Sequence, residues 1–390
     1  MKLLVINSVP YGSTATISYG ISQLAKSCGF DTLVAYGYSN HPIKASFLQI
    51  GGYWGKAIHM ILSRLSGFEG FFSFIATKRF IYKIKKYNPD VIHLHNLHGW
   101  YINIPMLIGY INQNNIKVVW TLHDCWSFTG HCPYFDISQC NKWKIHCCKC
   151  PSYKNYPESY VDASDKMYQI KKVWFCSIKH LTLVTPSLWL HDLVCQSYLK
   201  HKPCIVINNG IDLDKFNISP SVQKSSDKFK ILGLSIDWSY KKGLDVFVKL
   251  AELLDDSFEI TLVGTNDVLD KQLPANIRSI HRTQNQEELA QLYNESDVFV
   301  NPTREENFPT VNIEAIACGL PVITFNTGGS PEIIDETCGI VVPKDDLDAL
   351  MKAIQKIRKE PLSRDACRKR ALRYDRNKKF MEYIELYKRI

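Results

Sequence analysis

The chain has 390 residues, 45% hydrophobic and 22% charged, an ordinary balance for a folded protein and long enough for two domains rather than one. No stretch is disordered by composition, no apolar run approaches the ~20 residues needed to span a bilayer, and the opening MKLLVINSVP reads as a short strand rather than an export signal. A cytoplasmic location is therefore expected, and the formal net charge of +9 permits an acidic partner without naming one.

Short β-branched runs alternate with longer amphipathic ones along the chain, the pattern of parallel sheets covered by helices. KLLVINSV is followed by GST and then by Ile17, Ile21, Leu24, Ala25 and Cys28 at helical spacing, closed by Gly29. DTLVAYG, DVIHLHN, KVVWTLHD and LTLVTPS continue the first series of buried strands. KILGLSI, EITLVGT, SDVFVNP, PVITFN and GIVVP form a second. Two such series predict an α/β protein of two Rossmann-like, doubly wound domains facing across a cleft. The expected division is an N-terminal domain over 1–203 with a Cys-rich insertion at about 125–160, a C-terminal domain over 204–372, and a terminal helix over 373–390 packing back on the first domain. The polar stretch NISPSVQKSSDK reads as a surface loop early in the second domain.

Open parallel sheets bind ligands at the C-terminal ends of their strands, so function belongs in the loops that follow them. After DVFVNP, the loop TREENF carries Glu306, and Glu314 lies one turn into a helix that begins at Thr310 and stops at Gly319. The amides of Phe308, Thr310 and Val311 are available there, while Pro309 offers none. Two carboxylates for hydroxyls beside polarised amides for phosphate suit a sugar joined to a nucleotide through pyrophosphate, although acidic residues are also common in any first helical turn. A second amide-rich turn, Gly328-Gly329, leads into a helix at Pro331 with Glu332 in its first turn. Lys241 and Lys242 precede Gly243 after the second domain's first strand, where they are either solvated or placed to offset a leaving diphosphate. In the first domain, Gly12, Ser13 and Thr14 open a helix after the first strand and would let a diphosphate approach the backbone. His93, His95, His98, His123 and Asp124 sit at strand ends. Alternation sends His93 and His95 to one face, and His98 falls in a loop with nothing evident to fix it, which disfavours a shared metal.

The set KKGLD, LVGT, VNPTREENFPTVNIEAIACGLPVI and NTGGSPEII resembles the C-terminal domain of the large Glu-x7-Glu glycosyltransferase family (glycosyl transferases group 1, glycosyltransferase family 4), a retaining family of GT-B fold. The resemblance implies that Glu314 binds the nucleotide ribose, that Glu306 contacts the donor sugar together with Asn307, Phe308, Pro309 and Thr310, and that Lys242, with Lys241, meets the diphosphate. It also implies that His123 of TLHD contacts the donor sugar and that no catalytic metal is required. Two positions depart from the family pattern: Asn307-Phe308-Pro309 stands where Gly-Phe-Gly is common, and Asp237 occupies the slot of a frequent Arg. YGST, HLHNLHGWYIN and the cysteine-bearing segment after TLHD are similar to a bacterial branch that builds surface polysaccharides. The expected donor is thus UDP- or GDP-linked, and the expected acceptor a glycan on polyprenyl diphosphate. A sugar-nucleotide epimerase or a phosphorylase on the same fold is the enzymatic alternative; a basic, zinc-containing nucleic-acid binder is the non-enzymatic one.

Thirteen cysteines in an unexported chain are expected as reduced thiols. Cys132, Cys140, Cys147 and Cys150 are clustered, and four thiolates suit a tetrahedral structural zinc, with disulfides and free thiols as the rival readings. Residues 71–87 join Phe71, Phe72 and Phe74 to Lys78, Arg79, Lys83, Lys85 and Lys86. That segment is either a solvated basic helix face or a peripheral contact with an anionic membrane.

Overall fold

The computed structural model describes residues 1–40, 47–220 and 227–390, so positions 221–226 of the expected Ser/Lys-rich loop lie outside the described residues. The chain divides into two compact units: Met1–Asn208 with Lys379–Ile390, and Asn209–Lys378.

The first unit is built on β1 (Lys2–Asn7), β2 (Asp31–Gly37), β3 (Phe47–Ile50), β4 (Val91–Leu94), β5 (Lys117–Thr121), β6 (Leu181–Thr185) and β7 (Cys204–Val206). All pair in parallel in the order β3-β2-β1-β4-β5-β6-β7. The central strands are buried on both faces, which is why they read as unbroken apolar runs. Side-chain alternation then splits them between two cores. Leu4, Ile6, Ile92, Leu94, Val118 and Trp120 enter one, and Leu3, Val5, Val91, Val119 and Val184 enter the other. The terminal helix Arg376–Arg389 places Phe380, Tyr383, Ile384 and Tyr387 in the second of these cores.

The second unit is built on β8 (Phe229–Leu234), β9 (Phe258–Val263), β10 (Ile277–Ile280), β11 (Val298–Asn301), β12 (Val322–Phe325) and β13 (Gly339–Val342), in the order β10-β9-β8-β11-β12-β13 and again wholly parallel. Here Leu232, Phe299 and Val322 face one core, and Ile231, Val298, Val300 and Ile323 the other.

Three details differ from the sequence reading. The boundary expected at 203/204 falls at 208/209, because Cys204–Val206 still pairs with β6 and completes the first sheet. The terminal helix starts at Arg376 rather than 373, with the Asp375 carboxylate accepting from the Lys378 amide at 2.9 Å. β3, β7 and β10 were absent from the sequence reading, and each is an edge strand of three or four residues. The Cys-rich insertion holds only short 3-10 turns, at Trp126–Phe128 and Lys142–Lys144, organised around the buried Trp143, whose ring lies 5.0 Å from Phe135 and 5.3 Å from Phe128.

The crossing of the loops after β8 and β9 leaves no room for a side chain at Gly264. Its φ is +92°, and an added Cβ would lie 1.7 Å from the Ser235 carbonyl oxygen. Gly264→Ala is expected to cost about 3 kcal/mol or more, read in thermal unfolding as a fall of roughly 6–12 °C in the transition of the second unit.

Candidate active site

In the second sheet the strand order reverses between β8 and β11, so the loops that follow these two strands diverge over one crevice of the sheet edge. The loop after β8 ends in the turn Tyr240–Lys242. Its anchor is Arg304, from the loop after β11. The guanidinium grips both carboxylate oxygens of Asp245 at 2.7 and 2.8 Å, bonds Asp345 and the Tyr240 carbonyl, and stacks 3.8 Å from the Tyr240 ring centroid. The Arg304 amide also donates to the Lys241 carbonyl at 2.8 Å. A residue only 6% exposed thus fastens the two loops together.

The fastening sets two lysines beside two glutamates. Lys241 Nζ lies 3.0 Å from Glu305 Oε2, and Lys242 Nζ lies 2.7 Å from Glu306 Oε2. Neither lysine is merely solvated. Glu306 Oε1 accepts from the Asn307 amide at 3.1 Å. Burial works to raise the Glu306 pKa, but the Lys242 ammonium with its hydrogen bond, the Asn307 amide and Lys241 outweigh it and hold the carboxyl below its usual range. Glu314 behaves oppositely. It lies on the helix Thr310–Ala317 and its Oε2 accepts from Tyr293 Oη at 3.2 Å. Burial pushes its pKa up to about 7, against the lowering hydrogen bonds of Tyr293 and Thr310. The two carboxyls of the pair therefore carry different average charge at neutral pH.

The rest of the loop is fixed from below. Asn301 donates to Asn312 at 2.8 Å, tying the helix to β11. Phe308 is buried with its ring 5.7 Å from Tyr374, and its carbonyl accepts from Asn209 at 3.1 Å. Pro309 is the N-cap, without a side-chain cap bond, and Gly319 closes the helix at φ +75°. The Gly328-Gly329 turn after β12 joins the same cluster. Gly328 has φ +55° and an added Cβ would sit 1.7 Å from the Glu306 carbonyl oxygen, while the Gly329 amide donates to the Asn307 carbonyl at 2.8 Å. Asp237 is exposed, and Asp212 pairs with Arg376 at 2.8 Å. Arg304 and Glu305 escaped the sequence reading although they adjoin Glu306; nothing in their spacing distinguishes a clamp from a solvated charge.

In the first unit the order reverses between β1 and β4. The helix Gly12–Ser27 begins at Gly12 with φ +80° and no side-chain cap, and Ser13 is exposed. His95 Nδ1 and His123 Nε2 are 2.9 Å apart with stacked rings, and His93 lies 4.1 Å from His95, ring to ring. Burial pulls His123 down to about 4, with Asp124 opposing, and His93 down to about 3, so this chain of imidazoles is neutral. His93 is spent on structure, bonding Thr121 at 2.8 Å and Tyr387 at 2.6 Å. His98 corrects the expectation that nothing fixes it. Nε2 meets Asp124 at 2.9 Å, Nδ1 meets the Tyr156 hydroxyl at 2.8 Å, and the residue is buried. Burial works to lower its pKa, but the Asp124 and Glu69 carboxylates prevail and raise it. Two further charges were missed. Glu69 is buried and accepts from the Gly99 amide at 2.8 Å, and the fully buried Lys171 bonds the Trp126 carbonyl at 2.6 Å. A lone acid inside the apolar run SGFEGFF was the available signal for Glu69.

Cys132, Cys140, Cys147 and Cys150 line one cavity of about 10 Å³, joined by Cys148 and His131. All are free of disulfides, and Cys147 Sγ accepts from the Gly130 amide at 3.2 Å. Cys132 and Cys150 meet side chain to side chain, but no three of the sulfurs lie within 4.8 Å of one another. Among the described residues, the group of three His, Cys, Asp or Glu side chains whose ligand atoms all lie within 4.8 Å of one another is Asp267, Asp270 and His281.

Two Rossmann-like α/β units with acid and lysine loops at a switch point define the GT-B class of glycosyltransferase. Residues 32–215 match the family model described as Glycosyltransferase Family 4 and residues 230–360 the one described as Glycosyl transferases group 1; the chain belongs to this family. It is 27% identical over 318 residues to WcaC of Escherichia coli K12, a glycosyl transferase named for colanic acid biosynthesis, covering 77% of each chain. It is 28% identical over 176 residues to the UDP-Gal:alpha-D-GlcNAc-diphosphoundecaprenol alpha-1,3-galactosyltransferase of Escherichia coli, covering 39% of this chain and 44% of that one. The fold matches sucrose-phosphate synthase from Thermosynechococcus elongatus at a TM-score of 0.74 and 18% identity, over 100% of this chain and 98% of that one. The protein is a glycosyltransferase.

Because the Glu314 carboxyl is raised from 4.5 to about 7 on folding, the folded state binds more protons between those values. Stability therefore falls as pH rises through this window, with the full cost present above about pH 7. Glu314→Gln removes the titration, and its melting temperature should decline less between pH 5 and pH 8 than that of the parent; parallel profiles would contradict the assignment.

Proposed function

We propose that the protein transfers a sugar from a nucleoside diphosphate sugar to a hydroxyl of a lipid-diphosphate-linked glycan, with retention at the anomeric carbon. The observation that carries this reading is the Lys242–Glu306 pair at the switch point. It holds a cation and an ionised acid together beside the uncapped start of the helix bearing Glu314. An arriving diphosphate would share the Lys242 ammonium with Glu306 and take amides from the helix start, and the negative charge that grows on the leaving phosphate is stabilised there. Glu306 is then left to accept from donor-sugar hydroxyls and Glu314 from the ribose. Lys241, held by Glu305, adds field. His123, neutral and oriented by His95, offers a hydrogen bond to the sugar rather than a charge.

In the step itself the anomeric carbon–phosphate oxygen bond breaks and the acceptor oxygen bonds the same face. The acceptor proton passes to the departing phosphate, so no protein side chain is glycosylated. The relative that uses a UDP-sugar and a diphosphoundecaprenol acceptor supports a UDP-linked donor over a GDP-linked one and an undecaprenyl-type carrier.

A structural zinc among Cys132, Cys140, Cys147 and Cys150 is part of the same proposal. Its support is the shared cavity and the amide already bonded to Cys147; binding would pull the sulfurs inward and brace the insertion. Metal analysis of pure protein should give close to one zinc per chain, and a value below about 0.2 removes the idea.

For the transfer, a panel of nucleotide sugars is incubated with lipid-diphosphate glycans and the free nucleotide measured. Release that depends on both substrates, with the donor's anomeric configuration kept in the product by NMR, is expected. Glu314→Gln should raise the donor KM on the order of tenfold; an unchanged KM ends the ribose assignment, and an inverted product ends retention.

A further inference from the structure

The helix Tyr53–Ser66 is inside out. Its inner face is polar: His59 is 1% exposed, bonds the Ser73 hydroxyl at 2.7 Å and accepts from the Gly70 amide at 3.3 Å, and Ser63 is buried beside it. The outer face is a stripe at helical spacing, Trp54, Ile58, Ile61, Leu62 and Leu65, with Trp54 75% and Leu65 57% exposed. Where the chain turns into the helix Phe74–Tyr87, Phe74 and Ile75 extend the apolar surface, Ile75 being 69% exposed. An aliphatic stripe of this length turned outward is the reverse of what a water-facing helix carries, and it marks a covered surface.

Charge identifies the cover. The two helices contain Lys56, Arg64, Lys78, Arg79, Lys83, Lys85 and Lys86 and no Asp or Glu. Their N-terminal ends are adjacent, since a Cβ at Gly51 would lie 3.2 Å from that of Ala76. Arg64 is paired with Glu158 at 2.7 Å, but the helices themselves bring only cations to this face, so a second copy would set like charges together. A lipid surface satisfies both features, taking apolar side chains into the acyl boundary and lysines at its anionic headgroups. No helix of the described residues is long and apolar enough to cross a membrane, so the contact is in-plane.

We infer that the face formed by Trp54, Ile58, Ile61, Leu65, Phe74 and Ile75, bordered by Lys78 and the lysines at 83, 85 and 86, docks the protein on an anionic lipid bilayer. The inference goes beyond the transfer reaction and stands without it, because bare lipid carries no acceptor glycan.

The full chain is floated with vesicles of phosphatidylcholine and with vesicles containing phosphatidylglycerol. It should rise with the anionic vesicles and be released by high salt. The triple variant Trp54→Ser, Ile61→Ser, Leu65→Ser should stay at the bottom while keeping the parent melting temperature and its response to free nucleotide. Lys83→Glu, Lys85→Glu, Lys86→Glu should weaken anionic-vesicle binding at least tenfold. Three results overturn the inference: no flotation of the parent, flotation unchanged by the apolar triple variant, or a dimer in sedimentation that the same variant dissolves, which would make a second copy the cover.

Discussion

The Arg304–Asp245 fork is the constraint from which the site of the second unit follows. Parallel sheets force neighbouring strands at the switch point to send their loops apart, and a crevice opened that way has no backbone ladder to set its shape. A buried, bidentate guanidinium supplies the missing crosslink. Its bidentate bonds to Asp245, with the Tyr240 carbonyl and ring, hold the turn Tyr240–Lys242 in register with Glu305 and Glu306. Gly328 completes the arrangement from the third loop, since only a residue without Cβ can bring its backbone against the Glu306 carbonyl.

The two units handle buried charge differently. In the second, opposite charges meet as short pairs at a partly open edge. In the first, neutral imidazoles accompany the buried Glu69, His98 and Lys171 and the half-buried Asp124, with His98 and Asp124 in the loops that follow β4 and β5. Burial lowers the Lys171 pKa to about 8, with Glu69 the leading opposing influence. These groups hold one another in place, so the position of His123 is inherited from packing around it rather than from its own loop.

The helix Tyr53–Ser66 shows the same logic in reverse. Its polar residues are drawn inward to satisfy the turn Gly67–Ser73, and its apolar residues are left on the surface as a result. Its composition alone gives an ordinary amphipathic helix; which face is covered by protein is set by that turn.

Local pattern determined the class of the fold. Unbroken apolar runs mark strands buried on both faces, and their alternation with helical spacing allows little besides two parallel sheets. β3 (FLQI) and β10 (IRSI) mix in polar residues and β7 (CIV) has only three, so none forms the apolar run that made the equally peripheral β13 (GIVV) legible. Glu306, Glu314, Lys241 and Lys242 were legible from their loops and helix start, and the four clustered cysteines from spacing. The partner of each was not: Arg304 for the loops, Tyr293 for Glu314, Asp124 and Tyr156 for His98, Cys148 for the cysteine cavity. The sequence by itself determined which chemical groups stand at the ends of which strands, because that depends on neighbours within a few residues. Only the tertiary structure decided how those groups are charged and which face of a helix meets solvent, because burial and pairing are properties of residues brought together from distant parts of the chain.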